Sequence, residues 1–570
     1  MPNFSFIDAR KALRWLIVLL LLDGHSLSAQ SLVQNRQPNL LIVISVDMLS
    51  GEIMDRYTGG LTGGLGKLLR EGVVFENAYQ EHAFTETCPG HATLLSGRYP
   101  ASTGIGTNSW IDSGTNQRTY CVEDDHARTI GDATGTAGAS DAHFVGTTLG
   151  TWLKDGFPGS RVFAVAGKDR AAILMAGPKA DGVYWFQEGL GFTTSTAYAD
   201  TIPPWLVQFN AALMHRLRTQ TLTWTPIGPS DGLTYPGEWK ADITGYPIVS
   251  RLPRLIQTQG FPEVARYGFV FNETQDGGFW NRYRASPFWD DAIFGAAEAL
   301  VENEHLGDGT RFDLLCLGLS ATNAAEHAFG NSGPEMQDLI RRLDARLGVF
   351  LDKLHRRGKR VVVVLSADHG GLDFAERLRS QGIPARRVDV GEWTRELQAR
   401  VRRELGTNRD LVSGGDEQIH VDHAAAQAIG NLRDVIDRIT PIVRGMPEVA
   451  AAASLEELRA IPQRRFSDPR EEDVLYRLKL SGAPGRSADI LFAFNPLVER
   501  DGPPKHDPAQ HGTPWDYDRR VPLIFWGPWK AEHRTDPAST VDIAPTLAKE
   551  LGIQSEQAVD GIPLGLVRTR

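Results

Sequence analysis

The stretch Leu40–Asp47, LLIVISVD, decides the fold class of this chain. Its nearly continuous apolar run Leu40–Val46 predicts a strand buried on both faces, which is typical of a parallel sheet covered by helices. Comparable runs recur further along, at Arg161–Ala166, Asp313–Leu319, Arg360–Leu365 and Val521–Trp526. Between two of them, Glu335–Arg357 has apolar residues at spacings of three and four, which predicts an amphipathic helix ending at Gly358. This order of strands and helices predicts an α/β fold, a doubly wound and mostly parallel sheet with helices on both faces.

Two stretches interrupt the alternation of strands and helices. Residues from about 200 to 260 are rich in Trp, Pro and Thr and show no clear period. Residues from about 372 to 480 contain charged helices such as Trp393–Leu405. We interpret both as insertions that cap one edge of the sheet, within a single domain that spans residues 30–570.

The N-terminal segment, residues 1–29, has the order of a secretory signal. Basic residues precede the apolar run Trp15–Leu22, and small residues follow as far as Ala29, where we expect cleavage. A membrane anchor is the alternative, but the run is too short to cross about 30 Å of hydrocarbon. We therefore expect an exported, periplasmic protein without a membrane span after cleavage.

Composition and charge narrow the class of protein. The chain has 570 residues, and its 60 Lys and Arg against 70 Asp and Glu give a formal net charge of -10. This length provides a large core, and the acidic balance argues against nucleic acid as a partner. Three cysteines, Cys88, Cys121 and Cys316, allow at most one disulfide, and any pairing and the oligomeric state are left open.

Polar residues follow or precede several of the predicted strands at their ends. They are Asp47, Asp368 and His369, Asn323 and His327, and, before the last strand, His511. Ligands of open α/β sheets bind beyond the carboxyl ends of the strands, and carboxylates with imidazoles suit Zn²⁺. A single Asp after a strand is more often a turn or helix-capping residue. The recurrence at four strand ends is what favours a metal site.

The segment Thr85–Tyr99, TETCPGHATLLSGRY, contains a candidate nucleophile. Thr87 is predicted at the start of a short helix with Pro89 in its first turn. Free N–H groups there would stabilise a phosphoryl group and an ionised Thr oxygen. The alternative is that Thr87 only caps the helix. Cys88 competes as nucleophile, but Pro89 follows it directly and position 92 is Ala, so the Cys-x-Pro-x-Arg pattern of sulfatases is absent.

Together these segments resemble the alkaline phosphatase superfamily, and within it the PafA-like periplasmic alkaline phosphatases of the type I phosphodiesterase group. The matching pieces, in the family's order, are VDMLSGE, TETCPGHATLLSGRYPASTGIGTNSW, GKDRAAILMAG, SATNAAEHAFG, SADHGG, AQHGTPWDYDRRVPLIFWG and TVDIAPTLAKELGI. They extend from residue 40 to 565, so the resemblance covers nearly the whole chain after the signal, while the two insertions match poorly.

The resemblance implies a phosphoester hydrolase with two Zn²⁺ ions. One zinc would be bound by Asp47, Asp368, His369 and Thr87, and the second by His327, His511 and the residue at position 323. Thr87 would be the nucleophile and would be phosphorylated transiently, which implies a zinc-dependent alkaline phosphatase. Asn108, Lys168 and Arg170 would contact the non-bridging phosphate oxygens. If the strand ending at Ala166 continued, the alternation of its side chains would point Lys168 and Arg170 the same way.

The two cations Lys168 and Arg170 and the amide donor Asn108 suit a phosphate monoester dianion better than a singly charged diester. Within the family, this combination accompanies monoesterases. We therefore expect small-molecule phosphate monoesters as substrates. A phosphodiesterase or nucleotide pyrophosphatase on the same fold is the first alternative.

Asn323 departs from the family pattern, which has Asp four residues before the His of this segment. An Asn can ligate through its carbonyl oxygen but brings no charge. Two zinc ions together with Asp47 and Asp368 therefore give the site a net charge of two positive units. An Asp at position 323 would lower this net charge to one. We expect weaker retention of the second zinc and firmer binding of a phosphate dianion. Glu326 lies about 100° from His327 on a helix and is not expected to compensate. The departure also leaves open an attenuated phosphate- or metal-binding homologue.

Overall fold

A computed structural model describes most of the chain after its N-terminal segment. The described residues are 39–112, 117–135, 137–220, 222–224, 227, 269–271, 279–309, 311–415, 417–464, 468–500 and 509–569. The predicted signal segment and residues 228–260 of the first predicted insertion lie outside them.

The elements alternate along the chain as the sequence predicts. The strands are β1 Leu40–Val46, β2 Val73–Tyr79, β3 Ser109–Ile111, β4 Arg118–Tyr120, β5 Glu123–Arg128, β6 Ala137–Ala139, β7 Val162–Ala166, β8 Gly182–Gln187, β9 Gly191–Thr193, β10 Leu222–Trp224, β11 Phe269–Phe271, β12 Asp313–Leu319, β13 Val361–Ser366, β14 Arg386–Val388, β15 Val412–Gly414, β16 Gln418–Val421, β17 Val449–Ser454, β18 Ile490–Phe494, β19 Val498–Arg500, β20 Arg520–Trp526 and β21 Glu532–Ser539. The α-helices are Gly51–Tyr57, Gly64–Glu71, Thr87–Ser96, Pro100–Thr103, Leu149–Gly156, Asp169–Ala176, Pro204–Thr219, Phe279–Arg284, Pro287–Asn303, Ala321–Phe329, Pro334–Arg356, Ala375–Ser380, Val390–Leu405, His423–Gln427, Leu432–Arg444, Leu455–Ala460, Val474–Ser481, Asp516–Arg519 and Ile543–Leu551.

Nine of the described strands form a central sheet in the order β21-β2-β20-β13-β1-β12-β7-β8-β9. The five strands from β13 to β8 are parallel, while β20 runs antiparallel to both β13 and β2. The sheet is therefore mixed but mostly parallel, and the predicted fold class is confirmed.

Both faces of the sheet are covered by helices. Leu40, Ile42 and Ile44 of β1 belong to one hydrophobic core, together with the helices Pro287–Asn303 and Pro334–Arg356. Leu41 and Val43 belong to a second core on the opposite face. Because alternate side chains of a strand point to opposite faces, the continuous apolar run in β1 supplies both cores.

One strand differs from its predicted direction. The run that becomes β20 was expected to be of the parallel, doubly buried type, and it is buried on both faces, but it is antiparallel to its neighbours. The apolar pattern reports burial, which does not depend on strand direction. The antiparallel direction brings the start of β20 to the carboxyl edge of the parallel strands.

The region of the second predicted insertion has its own core. A four-stranded sheet of order β15-β16-β18-β17 packs with the helices Val390–Leu405 and Leu432–Arg444 around Ile419, Phe492 and Phe494. The first of these helices begins three residues before the predicted start, where the Asp389 side chain accepts a hydrogen bond from the backbone of Glu392.

Across the described residues, no helix is both long enough and apolar enough to span a bilayer.

Candidate active site

The sequence-predicted site residues lie at one edge of the central sheet. The carboxyl ends of the parallel strands share this edge, and the antiparallel β20 begins there. The edge receives Asp47 after β1, Thr87 after β2, Lys168 and Arg170 after β7, Asn323 and His327 after β12, Asp368 and His369 after β13, and His511 before β20. Residues from distant parts of the sequence are thus gathered by topology.

Asp47, Asp368 and His369 form a buried cluster with the geometry of a candidate metal site. One ligand atom from each lies within 4.8 Å of the others. The Nε2 atom of His369 is 3.3 Å from Asp368 Oδ2 and 3.6 Å from Asp47 Oδ1. His369 Nδ1 donates to the Gly370 carbonyl at 2.8 Å, which leaves the lone pair on Nε2 for a ligand.

Polar atoms of this cluster lack hydrogen-bond partners among the described residues. They include Asp47 Oδ1 and His369 Nε2, whereas Asp368 Oδ1 accepts from the backbone N–H groups of Met48 and His369. Burial would raise the pKa of Asp368, but the imidazoles of His369 and His91 hold it well below its usual range. Buried, unsatisfied oxygen and nitrogen atoms of this kind fit a bound divalent cation.

Thr87 is the first residue of the helix Thr87–Ser96 and is almost completely buried. Glu86 occupies the capping position before it, so Thr87 does not cap the helix, and its hydroxyl lies 3.4 Å from Lys168 Nζ. The helix N-terminus therefore offers its positive end beside the Thr87 oxygen.

Lys168 links the predicted nucleophile to both groups of predicted ligands. Its Nζ atom lies 2.5 Å from Asp47 Oδ2 and 2.8 Å from Asn323 Oδ1. Burial lowers the pKa of Lys168, and the Asp47 carboxylate opposes this shift. The ammonium group thus lies between the Thr87 hydroxyl and the side chains of Asp47 and Asn323.

His327 and His511 form the second group, with His369 beside it. The ring centroids of His327 and His511 are 5.3 Å apart, and those of His369 and His511 are 3.8 Å apart. His327 Nδ1 contacts the Ala509 carbonyl at 2.7 Å, and His511 Nδ1 contacts the Thr85 carbonyl at 2.9 Å. These contacts fix the ring orientations and favour Nε2 as the ligand atom.

Asn323 lies one helical turn before His327, in the helix Ala321–Phe329. Its Oδ1 accepts from Lys168, and its Nδ2 donates to Met48 Sδ at 3.2 Å. Met48 has a left-handed backbone with φ of 64°, which is uncommon outside glycine. Asn323 therefore contacts the predicted phosphate-binding lysine and the residue that follows Asp47.

Glu326 is fully buried beside this group, and neither of its carboxylate oxygens has a hydrogen-bond partner among the described residues. Its Oε1 lies 2.5 Å from the point that a Cβ on Gly371 would occupy. Burial raises the pKa of Glu326 well above its ordinary value.

Asn108 and Arg170 complete the predicted phosphate contacts. Asn108 Oδ1 accepts from the backbone N–H of Cys88 at 2.8 Å, which places the amide beside the first turn of the Thr87 helix. Arg170 Nη1 donates to the Tyr120 hydroxyl at 3.1 Å. The strand does not continue through Lys168, as the alternation argument assumed, because β7 ends at Ala166 and a helix begins at Asp169.

Two features of the site were missed in the sequence. His91 is fully buried, and its Nδ1 lies 2.9 Å from the Thr87 carbonyl and 3.1 Å from Asp368 Oδ2. Its position four residues after Thr87 is the signal, since such residues share a helix face. The second feature is a disulfide between Cys88 and Cys121, while Cys316 is a buried free thiol.

The chain is similar to known proteins along most of its length. Residues 41–513 match the family described as type I phosphodiesterase / nucleotide pyrophosphatase. Alkaline phosphatase PhoK of Sphingomonas sp is 35% identical over 543 residues, 93% of this chain and 91% of that protein. Alkaline phosphatase PhoD of Zymomonas mobilis is 32% identical over 538 residues, 92% of this chain and 88% of that protein.

A third relative has a solved structure. Alkaline phosphatase PafA of Elizabethkingia meningoseptica is 26% identical over 569 residues, 97% of this chain and 98% of that protein. The crystal structure of wild-type PafA superimposes with a TM-score of 0.79 at 23% identity, covering 93% of this chain and 98% of that chain. The chain is accordingly a phosphoester hydrolase. It belongs to the type I phosphodiesterase / nucleotide pyrophosphatase family, as a PafA-like member of the alkaline phosphatase superfamily.

Proposed function

We propose that this protein is a zinc-dependent phosphate monoester hydrolase, an alkaline phosphatase that acts through a phosphothreonine on Thr87. The observation that carries the proposal is the position of Lys168, whose ammonium contacts Asp47 of the candidate metal cluster and approaches Thr87 Oγ1. Nucleophile, cation and prospective metal ligands thus share one buried position.

The donor set fits two zinc ions. Asp47, Asp368, His369 and Thr87 would hold one, and His327, His511 and Asn323 the other. The oxygen and imidazole nitrogen donors are of the types that Zn²⁺ takes, and Asp47 Oδ1 and His369 Nε2 are buried without hydrogen-bond partners among the described residues. When bound, the two ions would supply Lewis-acid stabilisation of the attacking and leaving oxygens.

The chain's own residues then perform three tasks. Thr87 Oγ1, having lost its proton to solvent, attacks phosphorus in line with the leaving group, and the ester P–O bond breaks to release the alcohol; water then attacks phosphorus, the Thr87 Oγ1–P bond breaks, and phosphate leaves. The N-terminal N–H groups of the Thr87 helix stabilise the charge that gathers on the phosphoryl oxygens. Lys168, Arg170 and Asn108 bind the non-bridging oxygens and align the group for attack.

Two cations, Lys168 beside Thr87 and Arg170 close enough to Lys168 to interact with it electrostatically, favour monoesters over diesters. A monoester dianion carries one more negative charge than a diester and presents a third terminal oxygen, so Lys168 and Arg170 stabilise it more strongly. A phosphodiesterase or nucleotide pyrophosphatase is the second candidate, because the family that matches this chain is named for those activities. The predicted signal segment supports a periplasmic location, which completes the proposal.

The test compares kcat/KM of the zinc-loaded protein for an aryl phosphate monoester and the matching diester. We expect preference for the monoester and loss of turnover in Thr87→Ala. Thr219→Ala is the matched control, since that residue is exposed and its hydroxyl donates to the carbonyl of His215 in its own helical turn. Preference for the diester would assign the second candidate, and turnover that persists in Thr87→Ala would refute the phosphothreonine. Absence of both activities with zinc bound would identify an attenuated homologue.

A further inference from the structure

A short β-hairpin lies between the Thr87 helix and Arg170. Its strands are β3 and β4, which pair Ser109 with Tyr120. Just before β3 is Asn108 and just after β4 is Cys121, and the Cys121 N–H donates to the Asn108 carbonyl at 3.0 Å. We call β3, β4 and these two flanking residues the clamp hairpin. Residues at its base contact two parts of the predicted phosphate site, the Thr87 helix and Arg170.

The base of the clamp hairpin is joined to the start of the helix that carries the nucleophile by three contacts, two from Asn108 and one from Cys121. Asn108 Oδ1 accepts from Cys88 N–H at 2.8 Å, and the Asn108 N–H donates to Glu86 Oε2 at 2.7 Å. The third contact is covalent, because Cys121 forms a disulfide with Cys88, the residue directly after Thr87. The clamp hairpin therefore cannot move away from the nucleophile while the disulfide is intact.

Tyr120, the last residue of β4, orients Arg170. The Tyr120 hydroxyl donates to Asp169 Oδ1 at 2.8 Å and accepts from Arg170 Nη1 at 3.1 Å. Arg170 Nε is buried and has no hydrogen-bond partner among the described residues. Burial raises the pKa of Tyr120, so the phenol stays neutral and can both donate and accept. The Tyr120 hydroxyl thus lies between the Asp169 carboxylate and the Arg170 guanidinium and orients the guanidinium.

We propose that the clamp hairpin, pinned by the Cys88–Cys121 disulfide, positions Asn108 and Arg170 together and thereby sets the preference for dianionic phosphate. Tyr120 is the positioning residue for Arg170, and the disulfide is the positioning bond for Asn108. This inference rests on the proposed monoesterase function. It assigns specificity to residues that do not bind the metal ions and that act through the phosphate-binding side chains.

The first test is Tyr120→Phe, which removes the hydroxyl and leaves the ring. Tyr198→Phe is the matched control, because the Tyr198 hydroxyl is buried and has no hydrogen-bond partner among the described residues. In Tyr120→Phe we expect kcat/KM for the monoester to fall about tenfold or more. The diester is expected to lose less than about threefold, and the inhibition constant of inorganic phosphate is expected to rise about tenfold. Metal content is expected to equal that of the parent.

The second test is the double variant Cys88→Ala/Cys121→Ala, with Cys316→Ala as the control for loss of a buried thiol outside the hairpin. We expect the same fall in the monoester-to-diester ratio and weaker phosphate inhibition. If the double variant does not fold, Tyr120→Phe decides alone. An unchanged ratio, or equal losses on both substrates with a lower melting temperature, would refute positioning and show a structural role only.

Failure of this inference is separable from failure of the proposed function. A parent without zinc-dependent monoester turnover would refute the function. Calorimetric titration of the parent and Tyr120→Phe with inorganic phosphate would then still decide the role of the clamp hairpin. Weaker binding by the variant supports that role, and equal binding overturns it.

Discussion

Replacement of Asn323 by Asp tests the most distinctive residue of the site. Asn323 is buried, and its Oδ1 lies 2.8 Å from Lys168 Nζ. An Asp at this position adds one negative charge among groups that are proposed to hold two dications. We therefore expect Asn323→Asp to retain the second zinc more firmly and to bind inorganic phosphate less firmly.

The size of both effects follows from the surroundings of Asn323. Unit charges about 4 Å apart interact by about 4 kcal/mol at an effective permittivity of 20. Desolvation of the new carboxylate offsets part of this, and the contact from Asn323 Nδ2 to Met48 Sδ is lost. A net gain of about 1.4–2.8 kcal/mol corresponds to about 10- to 100-fold tighter zinc retention. The inhibition constant of phosphate is expected to rise by a similar factor.

The assay is metal analysis after dialysis against a graded chelator, together with phosphate inhibition in zinc-saturated buffer. Asn303→Asp is the matched control, because it makes the same substitution at an exposed position. Equal zinc content in Asn323→Asp and the parent would refute the reasoning. Glu326→Gln is expected to leave zinc content unchanged, and a loss of zinc in that variant would show that Glu326 compensates for the missing charge.

Three further outcomes are expected. Lys168→Met should reduce kcat/KM for a monoester by about 10- to 150-fold, because a hydrogen bond to a charged group contributes a free energy of this size. It should reduce diester turnover less. Equal losses on both substrates would contradict the proposal that Lys168 binds dianionic phosphate. Chelation should lower the melting temperature of the parent, and added Zn²⁺ should restore it, because a ligand of the folded state stabilises that state; Asp368→Asn should respond less in the same melts. Asp290 accepts from the N–H groups of Ser320 and Ala321, and burial raises its pKa to about 7. An unfolded Asp titrates near pH 4, so the Asp290 carboxyl destabilises the fold as the pH rises from about 4 to 7. The melting temperature of Asp290→Asn should equal that of the parent at pH 4 and exceed it at pH 8. A lower melting temperature of the variant at pH 8 would contradict this.

The sequence predicted the sheet and the edge that carries the site. A continuous apolar run such as Leu40–Val46 requires burial on both faces, and a polar residue directly after it must lie at the carboxyl edge. Asp47 and Asp368 could be placed in this way. His511 lies at the same edge because the strand that follows it, β20, is antiparallel to its neighbours, and no local sequence pattern predicts the direction of a strand.

Contacts across the site could not be predicted, because they depend on packing between distant segments. Three cysteines permit three single pairings, and only the fold brings Cys121 to Cys88. The alternation argument for Lys168 and Arg170 reached the correct edge for a wrong reason, since a helix and not a strand carries Arg170. His91 has an ordinary place in an apolar helix, and its role becomes visible only when Asp368 lies 3.1 Å away.

Asn323 also changes what Lys168 can do for a substrate. With Asn, the Lys168 ammonium has one carboxylate, that of Asp47, within ion-pair distance among the described residues, and it donates to the neutral amide oxygen of Asn323. An Asp there would give it two carboxylates, and part of its positive charge would be neutralised before phosphate arrived. We expect Asn323 to weaken the second zinc site. The same residue should therefore strengthen the positive electrostatic field that Lys168 presents to a dianion. The two effects oppose each other in turnover and separate only when zinc retention and phosphate inhibition are measured independently.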